Sequence, residues 1–196
     1  MIDITQLPIK EKIARSKKQM MWFAIMSLLM MFAGLTSAYI ISSSRRDWID
    51  IDLPTEFYYS TGVILLSSFT LILAKKSLKS NNLSGASLFT FITFILGTAF
   101  VVMQFMAFGS LTDAGIFFTG KGSSVAGSFI YIMVMAHLAH IVAGLISLTV
   151  ITFKAITKKY SKNEMLGFEL GAIFWHFVDV LWIFLLLFLV FAKDIF

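Results

Sequence analysis

The chain has 196 residues, of which 58% are hydrophobic, 15% aromatic and only 14% charged, with a mean hydropathy of +0.86; a water-soluble domain carries far fewer apolar residues and about a quarter charged. The formal charge of +5 does not point to nucleic acid, because the lysines and arginines collect in short blocks between apolar runs rather than on one basic face. With no cysteine, disulfides, thiolate metal sites and thioether haem attachment are excluded, and a redox centre would have to rest on three histidines and the methionines.

Five runs are long enough for a membrane helix, which needs about 20 apolar residues. The first, Met20–Ser43, follows a basic segment over 1–19. That flank imitates a signal peptide, but the apolar core is too long and no clear cleavage site follows, so the helix is expected to be retained. The short loop RRDWIDIDLPTE (45–56) carries Asp47, Asp50, Asp52 and Glu56 and reads as a solvated acidic loop, with a basic partner as the alternative. The second run is Phe57–Ala74 and the third Ala86–Gly109. In the next loop, LTDAGIFFTGKGSSVAG (111–127), Gly115-x4-Gly120-Lys121 imitates a phosphate loop, but Gly122 stands where a magnesium-binding Ser or Thr is required and no strand precedes it. The fourth run is Ala126–Phe153 and the fifth Phe168–Ala192. With no internal repeat and no low-complexity tract, the expected fold is all-α, with one five-helix membrane domain over 20–196 after the basic amino-terminal segment.

Basic residues set the expected orientation. Lys10, Lys12, Arg15, Lys17, Lys18, Lys75, Lys76, Lys79, Lys154, Lys158, Lys159 and Lys162 fall on one side of an alternating path, and Arg45, Arg46, Lys121 and Lys193 on the other. The richer side is expected to be cytoplasmic, which puts the amino terminus inside and the carboxyl terminus outside.

Ionisable groups at membrane depth are unfavourable by about 2.5–3.5 kcal/mol each on insertion scales, so they usually face protein and find a partner. The fourth helix carries His137 and His140, and the fifth Glu169, His176 and Asp179. At about 100° per residue, each set lies on one helix face. Taking about 1.5 Å per residue, Asp179 lies roughly 18 Å beyond Gly167 and His140 roughly 21 Å before Lys154, so the two sets are expected to meet near mid-membrane. Ala136, Ala139, Ala143 and Gly144 would let the helices approach. Three readings compete for that seam: a structural polar network, a proton relay, and haem ligation. The last requires ligands on both sides of the ring, which His137 and His140 on one face do not supply; it needs His176 opposite one of them.

The run GFELGAIFWHFVDVLWIFLLLF (167–188) resembles the last helix of subunit III of the haem-copper cytochrome oxidases, with its Gly-x-Glu followed by Trp-His-Phe-Val-Asp and a further Trp. GSFIYIMVMAHLAHIVAGL (127–145) is similar to that family's His-x-x-His helix, with a glycine four residues on. FAIMSLLMMFAGLTSAYI (23–40) and LGTAFVVMQ (96–104) are similar to its Phe-Ala-Gly-Leu-x-Ser-Ala-Tyr and Gly-x-x-Phe-x-x-x-Gln segments. Leu28 and Ala107 stand where the family often has glutamates, so those carboxylate roles are not carried over. Five helices correspond to the short bacterial form.

The resemblance implies an accessory subunit without redox centres in a multi-pass bacterial cytoplasmic membrane complex. It would pack mainly against oxidase subunit I, with subunit II and other respiratory-chain subunits and membrane lipids nearby, and would stabilise the catalytic subunit and support proton uptake. Haem and copper are expected in the partner subunits and none on this chain, with phospholipid as the ligand still admitted. No catalytic residue is expected; Gly34, Gly97, Gln104, Gly144, Trp175 and Trp182 are assigned to helix packing. A small proton-coupled transporter using the same histidine and carboxylate seam is the alternative.

Overall fold

The computed structural model describes residues 8–120, 122–157 and 165–195. Lys121, Lys158, Lys159, Lys162 and the first seven residues lie outside that set, as does the side chain of Lys193. Five helices follow one another: α1 (Ile9–Ser43), α2 (Thr55–Lys79), α3 (Leu83–Asp113), α4 (Val125–Ile156) and α5 (Leu166–Ile195). All five are long and apolar enough to cross a bilayer. Among the described residues the only β pairing is an isolated bridge between Phe117 and Ser123.

The helices begin where local chemistry places them. Pro8 and Pro54 precede α1 and α2 with fixed φ. Asn82 and Ser124 cap α3 and α4 by accepting from the backbone N–H groups of Gly85 and Gly127 at 3.0 and 3.1 Å. The tight turn between α2 and α3 puts Asn81 at φ 61°, a conformation asparagine tolerates better than most residues.

Each helix outruns its apolar run because its ends are polar. At 1.5 Å per residue, the 35 residues of α1 extend about 52 Å, well beyond a hydrocarbon core of about 30 Å. The extra length is its basic start, from Ile9 to Gln19.

Packing is sequential for α2, α3, α4 and α5, and α5 closes back onto α2. The remaining helix, α1, lies against α4 and α5. The last helix is therefore the common neighbour of α1, α2 and α4. Lys18 of α1 meets Glu169 of α5 at one end, and Tyr39 of α1 meets Phe188 of α5 near the other, so these two helices run parallel. The interior is filled by Phe32, Phe57, Phe100, Phe168, Trp175 and Trp182, all with under 2% exposure. Outward positions remain apolar, as Phe23, Met30, Phe69, Phe105 and Val180 illustrate, and such a surface suits lipid or a neighbouring chain rather than water.

Candidate functional site: a hydroxyl-lined seam between α2 and α5

The polar residues of α5 find their partners on α2. Ser68 donates its hydroxyl hydrogen to Oδ2 of Asp179 and lies 2.9 Å from Nδ1 of His176. A serine has one hydrogen to give; with the carboxylate receiving it, the His176 bond must run from Nδ1–H to Oγ. A neutral His176 then presents Nε2 as an acceptor. One turn to either side the pattern repeats: Trp175 Nε1 donates to Ser67 Oγ at 2.8 Å, and Trp182 Nε1 donates to Thr61 Oγ1 at 2.9 Å. The other flank of α2 binds α3, where Gln104 Nε2 donates to Ser60 Oγ at 3.0 Å and the hydroxyls of Thr70 and Thr93 stand 2.8 Å apart. A hydroxyl on nearly every turn of α2 thus fixes its register against both neighbours.

This arrangement corrects the expectation that His137 and His140 satisfy His176 and Asp179. His137 is fully buried, and neither of its ring nitrogens has a hydrogen-bond partner. Its ring lies 5.2 Å from Trp182, 6.1 Å from Phe100 and 6.5 Å from Phe32, centroid to centroid, and packs as one more aromatic plate. His140 turns back on its own helix, with Nδ1 2.6 Å from the carbonyl oxygen of Ala136. Glu169 reaches neither histidine; Lys18 approaches it at 3.1 Å, with both side chains partly exposed. The five residues therefore occupy four separate settings. The reason is topological: α5 touches three helices, and the face bearing Asp179 is turned to α2 rather than to its neighbour in sequence.

Besides the two ring nitrogens of His137, three buried polar atoms are left without a partner among the described residues: Oδ1 of Asp179, Oε1 of Gln104 and Oγ1 of Thr152. No group of three His, Asp or Glu side chains converges on a point where a cation would sit, among the described residues. A porphyrin held through His137 would have to displace Trp182, Phe100 and Phe32.

The residues assigned to packing divide. Trp175 is wedged between glycines: a Cβ on Gly97 would come within 2.6 Å of its Cη2, and one on Gly144 within 3.0 Å of its Cε3. Trp182 and Gln104 are fully buried. Gly34, by contrast, is exposed, and a Cβ there would meet nothing within 4 Å, because its side of α1 is turned away from α4 and α5. Two features escaped the sequence reading. The α2 hydroxyls did so because serine and threonine are unremarkable in membrane helices, and Gly171 because only the fold shows Ile151 filling the space beside it. In the first loop, Arg45 grips Asp47 through two hydrogen bonds of 2.9 and 2.8 Å, which hold that carboxyl below the usual range. Asp47 is therefore already engaged within its own loop.

Comparison with known proteins places these residues in a wider set. Residues 12–193 match the family described as cytochrome c oxidase subunit III. Subunit 3 of the cytochrome bo(3) ubiquinol oxidase of Buchnera aphidicola is 29% identical over 181 residues, 88% of this chain and 85% of that one. Cytochrome c oxidase subunit 3 of Alkalihalophilus pseudofirmus is 28% identical over 154 residues, 79% and 72% of the two chains. The Drosophila yakuba subunit 3 is 34% identical over 128 residues, 64% of this chain but 46% of its own, so the match spans less than half of the insect protein.

Proposed function

The chain belongs to the cytochrome c oxidase subunit III family, and from that premise we propose that it is the accessory, non-redox subunit of a haem-copper terminal oxidase in a bacterial cytoplasmic membrane. On this reading haem and copper reside in the partner subunits, subunit I is the main contact and subunit II a nearby one, and this chain stabilises the catalytic subunit and supports its proton uptake. The family match over nearly the whole chain is the observation that carries the proposal.

The structure's chemistry is in keeping with it. Ionisable groups inside the bundle are fixed by hydroxyls and rings rather than gathered at one reacting point. The five helices run unbroken, whereas transporters commonly interrupt helices at mid-membrane to expose backbone to a substrate. Relatives named for a cytochrome c oxidase and for a ubiquinol oxidase both match, which supports assigning the choice of electron donor to another subunit.

Solubilising the membrane in mild detergent and capturing this chain through a tag tests the assignment. Haem-bearing subunits are expected to co-elute, and their oxidase turnover to decay faster in membranes lacking the chain. Recovery of the chain alone, without haem, would remove the assignment.

A further inference from the structure

The geometry points to the outer face of α5 around His176, where it meets α2, as the docking face for a membrane-spanning helix of another chain, one that presents a hydrogen-bond donor at mid-depth. His176 stands ten residues into α5, about 15 Å from its start, and Ser68 is near the middle of α2, so both sit deep in the hydrocarbon. Within the chain His176 is only half-buried. Its Nδ1 is used by Ser68, and Nε2 makes no hydrogen bond among the described residues. That nitrogen is also not among the enclosed unpartnered atoms, so it reaches the outer surface of the bundle.

The residues around it agree on direction. Val180 and Leu187 share the face of His176 within about 40° and are 63% and 49% exposed. On α2, Ile72 lies within about 40° of Ser68 and is 54% exposed. A bare imidazole nitrogen in this band would face acyl chains, which satisfy no acceptor, and its ring is too short to reach the headgroups. A protein helix with a hydroxyl, amide or similar donor satisfies it. The apolar groove of about 480 Å³ between α3 and α4, lined by Phe105, Phe108, Tyr131 and Met135 among others, makes no such demand. The Tyr131 hydroxyl there is already bonded to the carbonyl of Ile116 at 3.1 Å.

This inference rests on the oxidase reading for the identity of the partner, but not for the position of the face. The test places a photo-crosslinking amino acid at Val180, or in a second variant at Met135 on the α3–α4 side, irradiates intact membranes and captures the complex in mild detergent. Val180 is expected to give an adduct with a haem-bearing subunit and Met135 none. A third variant, Val180→Trp, obstructs the face without touching the Ser68 bonds. It is expected to lower haem recovered per captured chain about three- to tenfold, the range of one interhelical bond, with the amount of chain in the membrane unchanged. Haem subunits captured with adducts only from Met135, or full haem recovery with Val180→Trp, would overturn the docking face and leave the oxidase assignment standing. An adduct from Val180 to a membrane protein whose captured complex contains no haem would keep the face and remove the oxidase assignment.

Discussion

Asp179 and His137 are both buried to within about 1%, yet their settings predict opposite responses to mutation. Asp179 accepts from Ser68, which also holds His176, so Asp179→Ala strands both partners. A loss of about 1–2 kcal/mol is expected, the upper end for interhelical bonds in membranes, read as a lower midpoint in thermal aggregation of the captured complex. His137 forms no hydrogen bond and packs as a ring among Trp182, Phe100 and Phe32. His137→Phe nearly conserves that shape and removes two unsatisfied polar atoms, so stability and turnover should stay within about 0.5 kcal/mol of wild type or improve. A large loss of turnover in that variant would restore the proton relay to contention. The two histidines of α4 and the three ionisable residues of α5 were legible because such groups are rare inside an apolar run. Their partners were not. A serine in a membrane helix often bonds its own backbone, as Ser60 does with the carbonyl of Phe57 at 2.9 Å, and nothing in sequence separates it from Ser68.

At the scale of the helix, existence and order were readable from the length of each apolar run, since a span needs a stretch of about fixed length. Boundaries were not, because helical hydrogen bonding continues into polar residues past the bilayer; α1 starts at Ile9 rather than Met20. Neighbourhood was legible only in part. Loop length favours sequential pairing, which holds for α2 with α3, α3 with α4 and α4 with α5, while the closure of α5 on α2 depends on hydroxyls that carry no hydropathy signal. Glycines make the same point. Gly97→Leu should drive side chain into Trp175 and destabilise by about 1–3 kcal/mol, visible as reduced chain in the membrane. Gly34→Ala, on an open face of α1, should leave the amount of chain unchanged, by immunoblot of the same membranes.

For the whole molecule, the described basic residues gather at one end: the start of α1, with Lys75, Lys76 and Lys79 of α2 and Lys154 of α4. Arg45 and Arg46 lie at the other. Basic loops are retained in the cytoplasm, so a periplasm-active phosphatase fused after Phe196 is expected to be active and the same reporter after Lys79 inactive. The reverse pattern would invert the orientation. The contact of Lys18 with Glu169 ties the basic ends of α1 and α5 together, but with both partners partly exposed its removal should change little. The hydroxyls that hold the bundle have a further effect during synthesis. They make α2 the least apolar of the five spans, so the nascent segment should partition poorly from the translocon on its own. Joined to α3 through a turn of only a few residues, it is better suited to enter as a paired unit, with Ser60 and Thr70 met by α3 before α5 arrives to claim Ser67 and Ser68.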